Sequence, residues 1–390
     1  MAALKAGILS TPGQRRVAVV PAGVGALRDA GLEVLVETGA GAGARFRDDD
    51  YTAAGARVLP ADRLRDSADL WLCLTRPEAA VLRGLRAGQA VAGMLRPLEA
   101  PGLMRELAER GATLVSLDGL PRTLSRAQPM DALASQASVA GYKAVITAAA
   151  AYDRYLPLLM TAAGVARPAQ VLVLGAGVAG LQAIATAHRL GAVVTGYDVR
   201  PEAREEIASV GASVLEADAP SGAGEGGYAR ALTADEQRAQ GGALAGAVGR
   251  FDIVVCTAQV PAGPPPLLLD AAALDRLRPG AVVVDLAAGP DGGNTELSEA
   301  GRTVETPGGA LVIGAAELAD TVPRAASEAY SRNIAALLAH LVDGGRLAVG
   351  PDDAPGDEIR AGVVVAHGGR LLRPDVAAAA GADPASSPAR

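Results

Sequence analysis

Chemically reactive side chains are scarce in this chain. Lysine occurs only at Lys5 and Lys143, and histidine only at His188, His340 and His367. Cysteine occurs at Cys73 and Cys256, each inside an apolar run that reads as a buried strand. Two buried thiols in a reducing compartment are therefore expected, not a disulfide. The histidines lie far apart, and none has a cysteine or carboxylate at metal-ligand spacing, so no metal site is expected. No H-E-x-x-H, G-x-S-x-G or P-loop string occurs. Two Phe, one Trp and seven Tyr are too few for an aromatic platform that stacks single-stranded nucleic acid. Basic residues number 36 against 43 acidic ones, a net charge of −7, which argues against nucleic-acid binding. No uncharged run approaches the roughly 20 apolar residues that span a bilayer. Met1–Leu9 also lacks the long apolar stretch of a secretory signal. These absences point to a soluble, cytoplasmic protein.

What is present is apolar and glycine-rich. Half of the 390 residues are apolar and 48 are glycine, enough for a sizeable core and a length suited to two domains. Short β-like runs alternate with helical patterns, the signature of parallel sheets covered by helices. Strands are predicted at Ala6–Leu9, Glu33–Glu37, Leu70–Leu74, Ala90–Leu95 and Thr113–Leu117. Helices are predicted between them at Pro21–Ala30, Pro77–Arg86 and Ala100–Arg110, with 37–50 as loop. A second series follows at Gln170–Leu174, Val193–Tyr197, Ser213–Leu215, Asp252–Cys256, Ala281–Leu286 and Ala310–Ile313. Residues 119–136 break the pattern with a polar, proline-bearing loop, the kind of segment that carries function. The stretch 217–249 reads as a long connection of the kind that serves as a binding loop. Long helical patterns near 131–151 and 321–342 would join two domains: residues 1–130 with 331–374, and residues 131–330. A flexible tail is predicted from 375 to 390.

The strongest motif is Val171-Leu-Val-Leu-Gly175-Ala-Gly177-Val-Ala-Gly180. It follows a strand and opens a helix at Val178, and the next predicted strand ends at Asp198. In such a turn Gly175 allows the tight reversal, Gly177 lets the backbone approach a pyrophosphate, and Gly180 lets helix and strand pack closely. The N–H groups at the start of the helix attract the phosphates. Asp198 would accept hydrogen bonds from ribose hydroxyls and repel a 2′-phosphate, favouring NAD(H). Arg200, two residues on, would either accommodate that phosphate or be solvated. The fold class expected is α/β, with two Rossmann-like doubly wound parallel-sheet domains joined by long helices.

Several further strings carry a resemblance. They are Met94-Leu-Arg-Pro-Leu, Ser125-Arg-Ala-Gln-Pro-Met-Asp-Ala-Leu, Ala140-Gly-Tyr-Lys-Ala-Val, Gly196-Tyr-Asp-Val-Arg-Pro, Gly224-Glu-Gly-Gly-Tyr-Ala-Arg and Gly292-Gly-Asn. Over nearly its whole length the chain resembles the soluble NAD(H)-binding alpha subunit, or domain I, of proton-translocating NAD(P) transhydrogenase. That family belongs to the alanine dehydrogenase/transhydrogenase superfamily. The resemblance implies Re/Si-specific hydride transfer from NADH to NADP(H) on a partner subunit. It also implies a homodimer, and assembly with an NADP(H)-binding domain and a membrane-embedded proton-channel domain, peripheral to the inner membrane face.

By the same resemblance Gln128 contacts the nicotinamide ribose and the partner domain. Arg122 and Asp131 form the ion pair that holds this loop, and Gly227 and Tyr228 lie on a loop that closes over the nucleotide. Some positions depart from the family pattern. The serine expected three residues after Asp131 is Ala134, with Ser135 next and expected to contact the cofactor. Gln259 stands near the adenine edge; the string after Asp285 is longer by one around Gly289; and Glu317 replaces an asparagine. Where alanine dehydrogenases carry a catalytic lysine and histidine, this chain reads Leu74-Thr-Arg-Pro and Met94-Leu. A stand-alone oxidoreductase of the alanine dehydrogenase type and a non-catalytic NAD-binding module are the alternatives.

Overall fold

The apolar runs become the central strands of two parallel-dominated sheets, because a strand covered by helices on both faces needs apolar residues at every position. The computed structural model describes residues 3–162, 164–216, 222, 230, 232–260, 264–350 and 352–381. The chain divides into two units, Met1–Gln136 with Val322–Arg390, and Ala137–Thr321.

In the first unit the strands lie in the order Arg57–Leu59, Leu32–Glu37, Leu4–Ile8, Leu70–Thr75, Ala90–Met94 and Thr113–Ser116, all parallel. The order reverses between Leu4–Ile8 and Leu70–Thr75, as in a doubly wound sheet. An unanticipated antiparallel pair, Val364–His367 and Arg370–Leu371, extends the far edge beyond Thr113–Ser116. Helices Pro21–Asp29 and Pro101–Glu109 start on proline, whose missing N–H costs nothing in a first turn.

The second unit repeats the scheme. Its strands run Ser213–Val214, Val193–Tyr197, Gln170–Leu174, Ile253–Cys256, Val282–Asp285, Leu311–Gly314 and Thr303–Glu305. Only the last, again unanticipated, is antiparallel to its neighbour. The order reverses between Gln170–Leu174 and Ile253–Cys256. Val171, Val173, Val255 and Val284 pack on one face of the sheet with Ala183 and Ile184 of the helix Val178–Arg189. Leu172, Leu174, Val254 and Val283 fill the other face.

Several expectations need correction. The segment 37–50 is not loop to its end: helix Asp48–Ala53 begins within it, with three aspartates in its first turn, where negative charge suits the helix dipole. It buries Tyr51, whose hydroxyl donates to the Val19 carbonyl at 2.8 Å. The helix read at Pro77–Arg86 is only Ala79–Leu82. Much of 217–249 is helix Ala234–Val248, opened by a capping box in which Thr233 and Glu236 each accept the other's backbone N–H. The tail does not begin at Asp375, because Pro374–Ala379 is helical and buries Val376 and Ala377.

The unit boundaries fall at 136/137 and 321/322 rather than at 130/131 and 330/331. Ala132 and Tyr330 lie in the core of the first unit, and Gln136 is bonded there to Arg16 and to the Ala326 carbonyl. The helix Pro323–Leu341 is fastened into this unit by its polar side chains. Ser327 Oγ and Ser331 Oγ accept the N–H groups of Val17 and Val20 at 3.0 and 3.2 Å. The buried Tyr330 hydroxyl lies 2.9 Å from the Cys73 carbonyl and 3.2 Å from that of Leu74. Replacing Tyr330 by Phe leaves those carbonyls without the hydroxyl donor, at a cost of about 1 kcal/mol. Urea unfolding of the Tyr330→Phe chain should show a lower midpoint with an unchanged slope.

Candidate dinucleotide-binding site

The site at the carboxyl ends of the second sheet begins where strand Gln170–Leu174 turns into helix Val178–Arg189. Gly175 takes a left-handed φ of +94°, and its N–H donates to the Tyr197 carbonyl at 2.8 Å. A Cβ there would lie 2.8 Å from Thr257 Oγ1 and 3.0 Å from the Ala258 nitrogen. A Cβ on Gly180 would stand 1.8 Å from the Gly175 carbonyl oxygen, so the helix lies against the turn only because residue 180 is glycine. Gly177 differs from both. Its φ is −74°, it caps the helix without a side chain, and a Cβ built on it meets nothing within 4 Å. The open space beside Gly177, at the start of a three-turn helix and at the sheet's switch point, fits a pyrophosphate. Val178, the first residue of the helix, is partly exposed there.

Asp198 ends the neighbouring strand, and both of its oxygens are engaged. Oδ2 accepts the Ala176 N–H at 2.7 Å and Arg200 Nη2 at 3.1 Å; Oδ1 accepts the Arg200 N–H at 2.9 Å and Nε at 3.0 Å. The carboxylate thus pins the fingerprint turn, and Arg200 grips it with a bidentate fork. This fork, foremost among several influences, raises the Arg200 pKa above its ordinary value. Neither sequence reading of Arg200 describes this arrangement: its guanidinium is neither simply solvated nor held apart for a 2′-phosphate.

The loop after strand Ile253–Cys256 faces the same turn. Thr257 Oγ1 donates to the Gly175 carbonyl at 3.0 Å. Ala258 is held by the buried side chain of Asn294, and Asp285 accepts the N–H groups of Ala287 and Thr295 at 2.9 and 3.0 Å. Burial pushes the Asp285 carboxyl pKa upward. Sequence reasoning saw Gly292-Gly-Asn only as a string and assigned Asp285 no role; the one available signal was an acidic residue closing an all-apolar strand. Gln259 is exposed. Gly227 and Tyr228 lie outside the described residues.

The polar loop of the first unit is also well defined. Residues Ser125–Met130 form a tight helical turn. Arg122 Nε lies 2.6 Å from Asp131 Oδ2, while Asp131 Oδ1 accepts the Ala134 N–H at 2.8 Å and so caps the helix Ala132–Ala151. Gln128 is exposed on this turn. Ser135, expected as a cofactor contact, instead donates to Asn333 Oδ1 at 2.6 Å, and Asn333 Nδ2 donates to the Pro129 carbonyl at 2.8 Å. Asn333 was not singled out from the sequence. Among the described residues no group of three or more His, Cys, Asp or Glu could hold a metal ion, and no helix is long and apolar enough to cross a membrane.

The comparisons agree with this arrangement. The pattern of the Alanine dehydrogenase/PNT C-terminal domain matches residues 144–373, and that of the N-terminal domain matches residues 10–140. The chain belongs to the alanine dehydrogenase/PNT family. It is 39% identical to the NAD(P) transhydrogenase subunit alpha of Cereibacter sphaeroides, over 95% of this chain and 72% of that protein. It is 38% identical to an NAD(P) transhydrogenase subunit alpha chain of Rhodospirillum rubrum, over 85% of this chain and 88% of that one. The solved transhydrogenase from Sinorhizobium meliloti superposes with a TM-score of 0.81 at 38% identity, covering 95% of this chain and 99% of that chain.

The three glycines should separate on mutation. Gly180→Ala forces a Cβ into a backbone carbonyl and should lower the melting temperature, at a cost of about 1–3 kcal/mol. Gly177→Ala should melt as the unmodified chain does yet bind NADH at least about tenfold more weakly. Calorimetry of unfolding and of binding checks both outcomes.

Proposed function

We propose that the chain binds NAD(H) and passes hydride from NADH to NADP⁺ held by a partner subunit, as the alpha subunit of a proton-translocating transhydrogenase. The observation that carries this reading is the glycine turn at the switch point, open beside Gly177 and pinned by Asp198. On this reading the pyrophosphate lies against Gly175, Gly177, Val178 and Gly180, and the ribose meets Asp198, with Arg200 moving aside or sharing the carboxylate. Gln128, on the turn held by the Arg122–Asp131 pair, acts at the nicotinamide end. NADH supplies the hydride and NADP⁺ receives it, giving NAD⁺ and NADPH with no proton gained or lost.

Such a transfer needs orientation and exclusion of water rather than an acid or base. The side chains fit that demand. The thiols of Cys73 and Cys256 are buried, and burial pushes the Cys73 pKa up to about 12 and that of Cys256 above its ordinary value, so neither is a thiolate at neutral pH. Amino-acid oxidation would need a group to take protons. The strings where alanine dehydrogenases carry theirs hold Thr75 and Met94, and Arg76 is bonded to the Leu95 and Arg96 carbonyls. A homodimer, an NADP(H)-binding domain and a membrane-embedded proton-channel domain complete the proposal. The assembly sits at the cytoplasmic face of the membrane.

The purified chain, mixed with an NADP(H)-binding domain of this family, should reduce NADP⁺ with NADH as donor and far more slowly with NADPH reducing an NADP⁺ analogue. Absence of any rate alongside tight NADH binding would make the chain a binding module. Oxidation of NADH by pyruvate and ammonia with the chain alone would make it an alanine dehydrogenase. Gln128→Ala should slow hydride transfer about 100-fold while changing the NADH dissociation constant little, which single-turnover kinetics and calorimetry can separate.

A further inference from the structure

Asn294 is fully buried, and its side-chain amide is spent entirely on main chain. Oδ1 accepts the Ala258 N–H at 3.0 Å; Nδ2 donates to the Ala258 carbonyl at 2.9 Å and to the Pro266 carbonyl at 2.8 Å. Its own carbonyl accepts the N–H groups of Leu268 and Leu269 at 2.8 and 3.1 Å. One residue thus ties together both ends of the segment that leaves strand Ile253–Cys256. The tie is itself anchored, because Asp285 accepts the N–H of the next residue, Thr295, at 3.0 Å. Gly293 makes room for that anchor: a Cβ on it would lie 2.5 Å from Asp285 Oδ2.

The held segment borders the glycine turn. The Ala258 nitrogen lies 3.0 Å from where a Cβ on Gly175 would stand, and Thr257, one residue earlier, bonds the Gly175 carbonyl. Movement of Ala258 therefore changes the width of the crevice beside the fingerprint. Only a carboxamide supplies what is needed here, an acceptor facing one N–H and a donor facing two carbonyls. We infer that Asn294 is a positioning residue for the nucleotide: by clamping Ala258 it sets the wall against which the ADP-ribose half of NADH is held. This rests on the nucleotide reading above and adds to it a residue that touches no ligand.

The test compares the full chain with Asn294→Asp and Asn294→Ala. The aspartate keeps the volume and the acceptor for Ala258 N–H but turns the donor into an acceptor facing two carbonyls. Calorimetric titration with NADH and with ADP-ribose should show both dissociation constants raised by the same factor, about tenfold. In the paired assay the KM for NADH should rise with kcat within about twofold of the unmodified chain. A role confined to holding the fold would lower the melting temperature and the active fraction but leave the dissociation constants of the folded protein alone. Folded variants that bind NADH and ADP-ribose as the unmodified chain does overturn the inference while leaving the nucleotide reading intact. So does failure of both variants to fold. An unmodified chain that binds no NADH overturns the nucleotide reading and this inference with it.

Discussion

The carbonyl of Gly175 is the point on which the ligand end of the second unit depends. The first turn of helix Val178–Arg189 lies so close to it that residue 180 has no space for a Cβ, and Thr257 donates to the same oxygen. The next residue, Ala176, gives its N–H to Asp198. Strand, helix, loop and ribose-facing carboxylate therefore meet around two consecutive peptide groups. Protein interiors are packed densely enough that such a junction does not absorb extra volume. The turn is rigid where it touches protein and open only at Gly177.

The rest of the chemistry follows from where charge has been placed or withheld. Cys73, Cys256 and Tyr330 are buried, and burial holds all three in their neutral forms. The charged groups near the turn and the polar loop are paired: Arg200 with Asp198, Arg122 with Asp131. What remains for function is shape, backbone N–H groups and amide side chains. That inventory suits a reaction in which a hydride moves between two rings, and it suits poorly one that needs a proton taken from the substrate.

Much of this was legible in the chain. The strands at 70, 90, 170, 193 and 253 are continuous apolar runs, and the glycine spacing with Asp198 at a strand end is a local pattern. The features that were not legible depend on contacts between distant segments. Asn294 acts on Ala258, 36 positions earlier, and on Pro266, 28 earlier, and it bonds main-chain atoms that carry no sequence signature. Ser135 sits where a nucleotide contact is expected, but its hydroxyl is taken by Asn333, 198 positions away. Helix Asp48–Ala53 was hidden because three aspartates look like loop, although at the start of a helix they are favourable. The antiparallel edge strands are too short for any alternation to show.

Asp131 has a consequence that its two bonds, taken separately, do not suggest. Its two oxygens are assigned to different tasks: Oδ2 to Arg122 of the polar loop, Oδ1 to the Ala134 N–H at the start of a twenty-residue helix. The carboxylate is thus a post set in the helix, and Arg122 is a latch hung on it. Releasing the latch leaves the post in place, still stabilised by the positive end of the helix. The loop that carries Gln128 can then swing at the cost of one ion pair, without unravelling a turn of the helix it leads into.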